Sequence, residues 1–263
     1  MFLWYHTDMP LPQLPPAQQK LARTLKHSKH REAEGLFLVE GMTVIEEAVA
    51  SGLELEWVAS TPGGRNRYPT VSALKALQYD SPGLQMISAL QSVPDVAALF
   101  RLPKLKSFDY TKPVIYLDGI ADPGNLGTML RTGAWFGVTQ WLLKEGGCDP
   151  YNPKVVRSAM GSLFRSTFAV SSNPLAELTA LVKRKYTLLA TTPTGGAAPA
   201  EATLPYCLMI GQEAHGLDPK MQQLASTTFS IPGSGAMESL NAAVAFGIII
   251  NTVHPHHALR PKA

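Results

Sequence analysis

Short runs of consecutive apolar, β-favouring residues alternate with stretches of helical periodicity along almost the whole chain. In the first hundred residues, Gly35-Leu-Phe-Leu-Val39 predicts a short buried strand, and Leu55 to Ser60 a second one. Between them, Met42 to Ala50 predicts a helix with apolar residues at 42, 45, 48 and 49, closed by Gly52. Val71 to Gln78 reads as a helix and Met86-Ile87 as a third short strand, with Pro-Gly and Gly-Gly punctuation between the elements. The stretch from Phe100 to Lys112 is basic and proline-bounded, carrying Arg101, Lys104, Lys106 and Lys112, and reads as a linker. The predicted division is an N-terminal extension over 1–15, a small α/β module over 16–107, a linker over 108–112 and a larger domain over 113–263.

In the larger domain the alternation is regular. Val114 to Leu117 predicts a strand that ends at Asp118-Gly119, and Asn125 is placed to cap a helix running to about Phe136. Strands are then expected at Gln140 to Leu143, Thr167 to Val170, Tyr186 to Thr191, Tyr206 to Ile210 and Phe229 to Ile231. Helices are expected at Pro153 to Met160, Leu175 to Arg184 and Ser239 to Val253, the last rich in Ala and Gly. Strand and helix in turn imply an α/β fold with an open, mostly parallel sheet and helices on both faces.

Composition supports a folded protein and narrows its setting. Of 263 residues, 45% are hydrophobic and 16% charged, enough for a buried core and too ordered a mixture for general disorder. The longest apolar run, Ala242 to Ile250, is far shorter than the roughly 20 residues that span a bilayer, so no membrane segment is expected. Met1 to Pro10 lacks the basic start and apolar core of a signal peptide, which predicts no export. Cys148 and Cys207 have no partner at zinc or redox spacing, the pattern of reduced cytoplasmic thiols. His254, His256 and His257 read as a solvated tail rather than a metal site.

The net charge of +3 is small, but its distribution is uneven. Lys20, Arg23, Lys26, Lys29 and Arg31 fall in a twelve-residue stretch without an acid, interleaved with His27 and His30. On one helix, Arg23, His27 and Arg31 would share a face able to follow a phosphate backbone; the plainer reading is a solvated helix face.

Three segments carry the candidate chemistry: Asp122-Pro-Gly-Asn-Leu-Gly-Thr-Met-Leu-Arg131, Ile210-Gly-Gln-Glu-Ala-His-Gly216 and Ile231-Pro-Gly-Ser-Gly-Ala-Met-Glu-Ser-Leu-Asn241. Each stands where a strand-like run gives way to a turn or helix, the place where open α/β sheets keep ligand groups. No dinucleotide fingerprint, phosphate-binding P-loop or hydrolase nucleophile elbow is present. Taken singly, Asn125 and Ser239 are helix caps, Asn241 a packing amide, Glu213 a surface ion-pair partner and Arg131 an exposed helix residue. Glu238 places a carboxylate just ahead of Ser239-Leu-Asn241.

In order and at this spacing, the three segments resemble the SpoU/TrmH family of RNA ribose 2'-O-methyltransferases, of the SPOUT class. The resemblance rests on Asn125, Leu126-Gly127 and Arg131; on Gly211, Glu213 and Gly216; and on Ile231-Pro232 with Ser239-Leu240-Asn241, with Asn152 to Gly161 as the segment between the first two. It spans about residues 113 to 253. The first hundred residues more loosely resemble the family's L30e-like accessory RNA-binding domain. The resemblance implies a deep C-terminal trefoil knot, S-adenosylmethionine as cofactor, an RNA partner and a homodimer with its site across the subunit interface. It assigns Arg131, Asn125, Glu213, Ser239 and Asn241 to catalysis, and Gly211, Ile231, Leu240 and the loop after Thr191 to the cofactor. Lys20, Arg23, Lys26, Lys29, Arg31 and Arg157 are the expected RNA contacts. Ribosomal RNA, 23S in particular, is the expected substrate, with transfer RNA second. A non-catalytic RNA-binding protein on this scaffold, or an unrelated α/β enzyme acting on an anionic metabolite, are the alternatives.

Overall fold

The computed structural model describes residues 11–74, 76–81, 83–88, 93–104, 106–212 and 215–255. It divides into two compact units, residues 1–103 with 151–157, and residues 104–150 with 158–263.

The first unit opens with helices α1 (Pro16–Thr24) and α2 (Ser28–Glu34), then β1 (Leu36–Glu40), α3 (Met42–Ala50), β2 (Leu55–Ser60), α4 (Pro62–Arg67), β3 (Leu77–Asp80) and β4 (Val96–Arg101). Its sheet runs β1-β4-β2-β3, with β4 antiparallel to both neighbours and β2 parallel to β3. Leu14, Ala22, Leu25, Leu38, Trp57, Leu84, Ile87 and Leu99 form one core of this unit.

Four sequence expectations change here. The predicted helix over Val71 to Gln78 is a 3-10 turn, Pro69–Ala73, followed by strand β3, and Met86 lies in a second 3-10 turn rather than a strand. Strand β4 takes the apolar run Val96-Ala-Ala-Leu-Phe100, whose residues are all buried, so Phe100 and Arg101 belong to the sheet and not to a linker. The basic stretch is broken between α1 and α2, so Arg23, His27 and Arg31 do not share a helix face.

The second unit contains β5 (Val114–Asp118), α5 (Pro123–Trp135), β6 (Gln140–Lys144), α6 (Pro153–Ala159), β7 (Thr167–Ser171), α7 (Pro174–Lys183), β8 (Thr187–Thr191), β9 (Tyr206–Gly211), α8 (Pro219–Gln222), β10 (Thr227–Phe229) and α9 (Ala242–Val253), with α6 divided between the units. The six strands follow the order β10-β8-β9-β5-β6-β7, and every neighbouring pair is parallel. Strands β5 and β9 are continuous apolar runs because a parallel sheet flanked by helices buries both faces. Val114, Tyr116, Leu142, Leu178, Leu188, Ala190 and Met209 make a core of this sheet. The order places β5 and β9 side by side at the centre, where the chain's path across the sheet reverses, and parallel pairing brings all strand C-termini to one edge.

Two helix starts are set by side chains. Asp122, not Asn125, caps α5, its carboxylate accepting from the Asn125 amide at 2.7 Å with Pro123 in the first turn. Helix α9 begins at Ala242 rather than Ser239, and Asn241 caps it by accepting from the amides of Ala243 and Val244 at 2.9 and 3.2 Å. Helices α5 and α9 pack together. Trp141 of β6 meets Phe246 of α9 with ring centroids 5.8 Å apart. Among the described residues no helix is long and apolar enough to cross a membrane.

The packing of α5 on β6 requires a residue without a side chain at 133. A Cβ there would lie 2.6 Å from the Trp141 ring and 2.8 Å from the Val138 carbonyl oxygen. The backbone carbonyl is fixed by the turn into β6, so little can give. Gly133→Ala is therefore expected to lower unfolding free energy by about 1–3 kcal/mol, read as a lower urea midpoint at unchanged slope.

Candidate active site

The C-terminal ends of β8 and β9 open into a cleft of about 670 Å³. It is lined by Thr191, Thr192, Ile210, Gly211, Gln212 and His215 on the strand side, and by the Ile231 to Leu240 loop and α9 on the other. All four residues assigned to a cofactor, Thr191, Gly211, Ile231 and Leu240, therefore lie around one cavity, and Ser239 lines it too.

Each is held there by backbone geometry. Thr191 ends β8, and its hydroxyl donates to the Met209 carbonyl of β9 at 3.1 Å. Beyond Gly211, Gln212 and Gly216 exchange both backbone hydrogen bonds, at 3.1 and 2.9 Å, which closes the second segment into a tight turn. That turn folds back onto Gly211 so closely that a Cβ at 211 would collide with the backbone of Gly216 and Leu217. Only glycine allows this approach. Glu213 lies outside the described residues.

The first and third segments are joined directly. The Asn241 side-chain amide donates to the Asn125 side-chain oxygen at 2.9 Å, while the Asn241 oxygen serves the first turn of α9. Two of the predicted catalytic residues thus meet, and each stands in the first turn or at the cap of its helix. Arg131 behaves differently. It is exposed on α5, takes no part in lining the cleft of its own chain, and among the described residues makes no ion pair.

A residue the sequence reading passed over organises the strand ends. Asp118, the last residue of β5, is 1% exposed and gathers three donors. The Tyr116 hydroxyl donates to it at 2.8 Å, the Asp218 backbone amide at 2.7 Å, and the Lys144 ammonium of β6 lies 2.9 Å away. Burial, reinforced by the bond to Asp118, pushes the Tyr116 phenol well above its ordinary range and keeps it a donor. Asp118 also pairs in register with Gly211, so it is tied to the start of the second segment and, through Asp218, to the chain just beyond it. The signal for it is an acid at the end of a buried strand run, a position the sequence pattern reads as the start of a turn.

The expected RNA contacts separate into two groups. Lys20, Lys26, Lys29 and Arg157 are exposed, and Arg23 is exposed while its Nε donates to the Met86 carbonyl at 2.6 Å. Arg31 is a correction: it is 2% exposed, and its guanidinium donates to the Leu25 carbonyl at 2.5 Å. Its charge is used inside the first unit, bracing the break between α1 and α2, and is not presented to a phosphate.

Comparison with known proteins gives this geometry a family. Residues 112–251 match the SpoU rRNA Methylase family, and residues 17–97 match an MRM3-like substrate binding domain. The chain belongs to the SpoU rRNA methylase family. It is 27% identical to a 23S rRNA (guanosine(2553)-2'-O)-methyltransferase of Bacillus subtilis, over 87% of this chain and 92% of that one. Among solved structures it resembles an RNA methyltransferase of the TrmH family from Porphyromonas gingivalis, with TM-score 0.80, 29% identity, and 91% and 97% of the two chains covered. The SpoU methyltransferase AviRb of Streptomyces viridochromogenes, solved in complex with AdoMet, superposes with TM-score 0.79 at 25% identity, over 90% and 96% of the chains.

The cleft fits an adenosyl ligand. Its volume is in the range that holds compact organic cofactors, its walls are apolar at Ile210, Ile231, Leu240 and Ile249, and the Gly211 backbone is left bare for close approach. Gly211→Ala is expected to weaken S-adenosylmethionine binding by at least about tenfold in calorimetry, while the far-ultraviolet spectrum of the sheet stays native. Unchanged affinity would show that the tight turn is not part of the ligand site.

Proposed function

We propose that this protein is an S-adenosylmethionine-dependent RNA methyltransferase that methylates a ribose 2'-hydroxyl in 23S ribosomal RNA. The observation that carries the reading is the cleft itself: four residues from three separate segments converge on it, and the Asn125–Asn241 bond ties the helix bearing Arg131 to its rim. Full-length similarity to a 23S rRNA 2'-O-methyltransferase supports the ribosomal substrate, as does the substrate-binding type of domain matched at residues 17–97. Family membership also supports a knotted path that would hold the three turns in register.

When bound, S-adenosylmethionine supplies an electrophilic methyl on a sulfonium. The chain's task is to present a ribose hydroxyl in line with that methyl and to help its proton leave. Arginine stays protonated at any physiological pH, so Arg131 acts as a clamp and not as the base. Its planar fork grips the phosphate next to the target ribose and stabilises negative charge as it grows on the 2'-oxygen. The proton leaves through that phosphate or a water. Asn125 and Asn241 hold the clamp helix and the cleft rim in a fixed relation.

Arg131 does not line the cleft of its own chain, and the surface it shares is apolar. Trp135 of α5 is 79% exposed, and Val244 and Ile248 of α9 are 52% and 42% exposed. This combination supports a homodimer in which each Arg131 serves the partner's cleft.

Incubation with labelled S-adenosylmethionine and unmodified RNAs is expected to place a 2'-O-methyl group in 23S rRNA. Arg131→Ala is expected to lower transfer by about 10²–10³-fold with cofactor affinity unchanged. Label on transfer RNA alone would redirect the substrate, and a wild-type protein that binds RNA without transferring methyl would favour a non-catalytic scaffold. A mixture of Arg131→Ala and Gly211→Ala chains tests the arrangement of subunits. If Arg131 acts across the interface, mixed dimers regain one competent site and measurable transfer; if it acts within its own chain, the mixture stays as inactive as either variant.

A further inference from the structure

Among the described residues that line the cleft, Glu238 is the single carboxylate, and no Lys or Arg lines it. His215 is the other titratable side chain in this lining, and Ile210, Ile231, Leu240 and Ile249 lower the capacity of the cleft to screen a charge. Glu238 sits three residues before Asn241, whose side chain is fixed both to Asn125 and to the first turn of α9, so the loop that carries the carboxylate is anchored at its exit.

Resting on the methyltransferase reading, we infer that Glu238 is a specificity residue that selects the methyl donor over its demethylated product by charge. The donor and S-adenosylhomocysteine share the adenosine, the ammonium and the carboxylate. They differ by one methyl and one positive charge on sulfur. During transfer the carbon–sulfur bond breaks with its electron pair left on sulfur, a carbon–oxygen bond forms at the ribose, and the hydroxyl proton departs. The sulfonium becomes a neutral thioether, and Glu238 loses its counter-charge at that moment. A carboxylate in the cleft wall therefore favours the ligand before reaction and weakens its hold on the product afterwards. The ammonium cannot supply this discrimination because both ligands carry it.

Binding of S-adenosylmethionine and of S-adenosylhomocysteine is measured by calorimetry on the full chain, without RNA. Because Glu238 is exposed, the effect expected of Glu238→Gln is moderate: about 5-fold weaker donor binding, with product affinity changed by less than about 2-fold. Glu238→Lys is expected to widen the same donor-specific loss, Glu238→Asp to restore part of it, and salt near about 0.5 M to narrow it. A merely structural role would move both ligands together. Equal losses for the two ligands, or no change for either, overturn the inference while leaving the cofactor site intact. A wild-type protein that binds neither ligand overturns the methyltransferase reading itself.

Discussion

The buried carboxylate of Asp118 is the constraint on which the active edge of the sheet depends. A carboxylate with 1% exposure is costly to bury unless its oxygens are filled, and here a phenol, an ammonium and a backbone amide fill them. The three donors come from different places: Tyr116 from the same strand, Lys144 from the neighbouring β6, and Asp218 from the chain leaving the second segment. One side chain thereby fastens the ends of β5 and β6 to the chain leaving the second segment. Lys144 retains some contact with solvent, so the ion pair is only partly desolvated, and the two hydrogen bonds carry much of the ordering.

Around that anchor, folding and function use the same groups. Asn241 caps α9 and reaches Asn125; Asp122 caps α5 and orients the turn in which Asn125 stands. A helix cap and a site residue are usually weighed as alternatives, but here the geometry makes them one arrangement. A side-chain oxygen committed to a helix terminus has lost its rotational freedom, so the amide on the same carbon is already aimed. That is an inexpensive form of preorganisation, since the ordering entropy is offset by the cap rather than by ligand binding. The two arginines show the opposite partition. Arg31 is consumed by the fold, while Arg131 stands exposed on a well-packed helix.

The alternation of strand and helix was legible in the second unit because a parallel sheet writes its strands as unbroken apolar runs, and the three segments stood at the ends of such runs. Boundaries moved by a few residues where caps decided them: Asp122 took the role given to Asn125, and Asn241 the role given to Ser239. The first unit was less legible. Val96 to Phe100 is as apolar as any strand in the chain, yet the lysines and prolines that follow it drew the reading toward a linker. Val71 to Gln78 has residues of mixed preference, and pairing of Leu77–Asp80 with β2 overrode the helical pattern. The roles of Asp118 and Arg31 were only faintly signalled in the local sequence. Their roles come from partners 100 and 6 residues away in the chain, and burial is a tertiary property.

Charge placement ties the site to its reaction. Methyl transfer to RNA must bring a cation and a polyanion to one point, so a site of either sign alone would repel one reactant. The second unit keeps the signs apart. Glu238 lies in the cleft wall, and Arg131 stands outside the lining of its own chain's cleft on a different element. Had both lined one cavity in the same chain, they would pair, and each would lose most of its field before any ligand arrived. Separation on distinct elements, with Asn125–Asn241 fixing the relation between those elements, keeps the two charges from pairing within one chain.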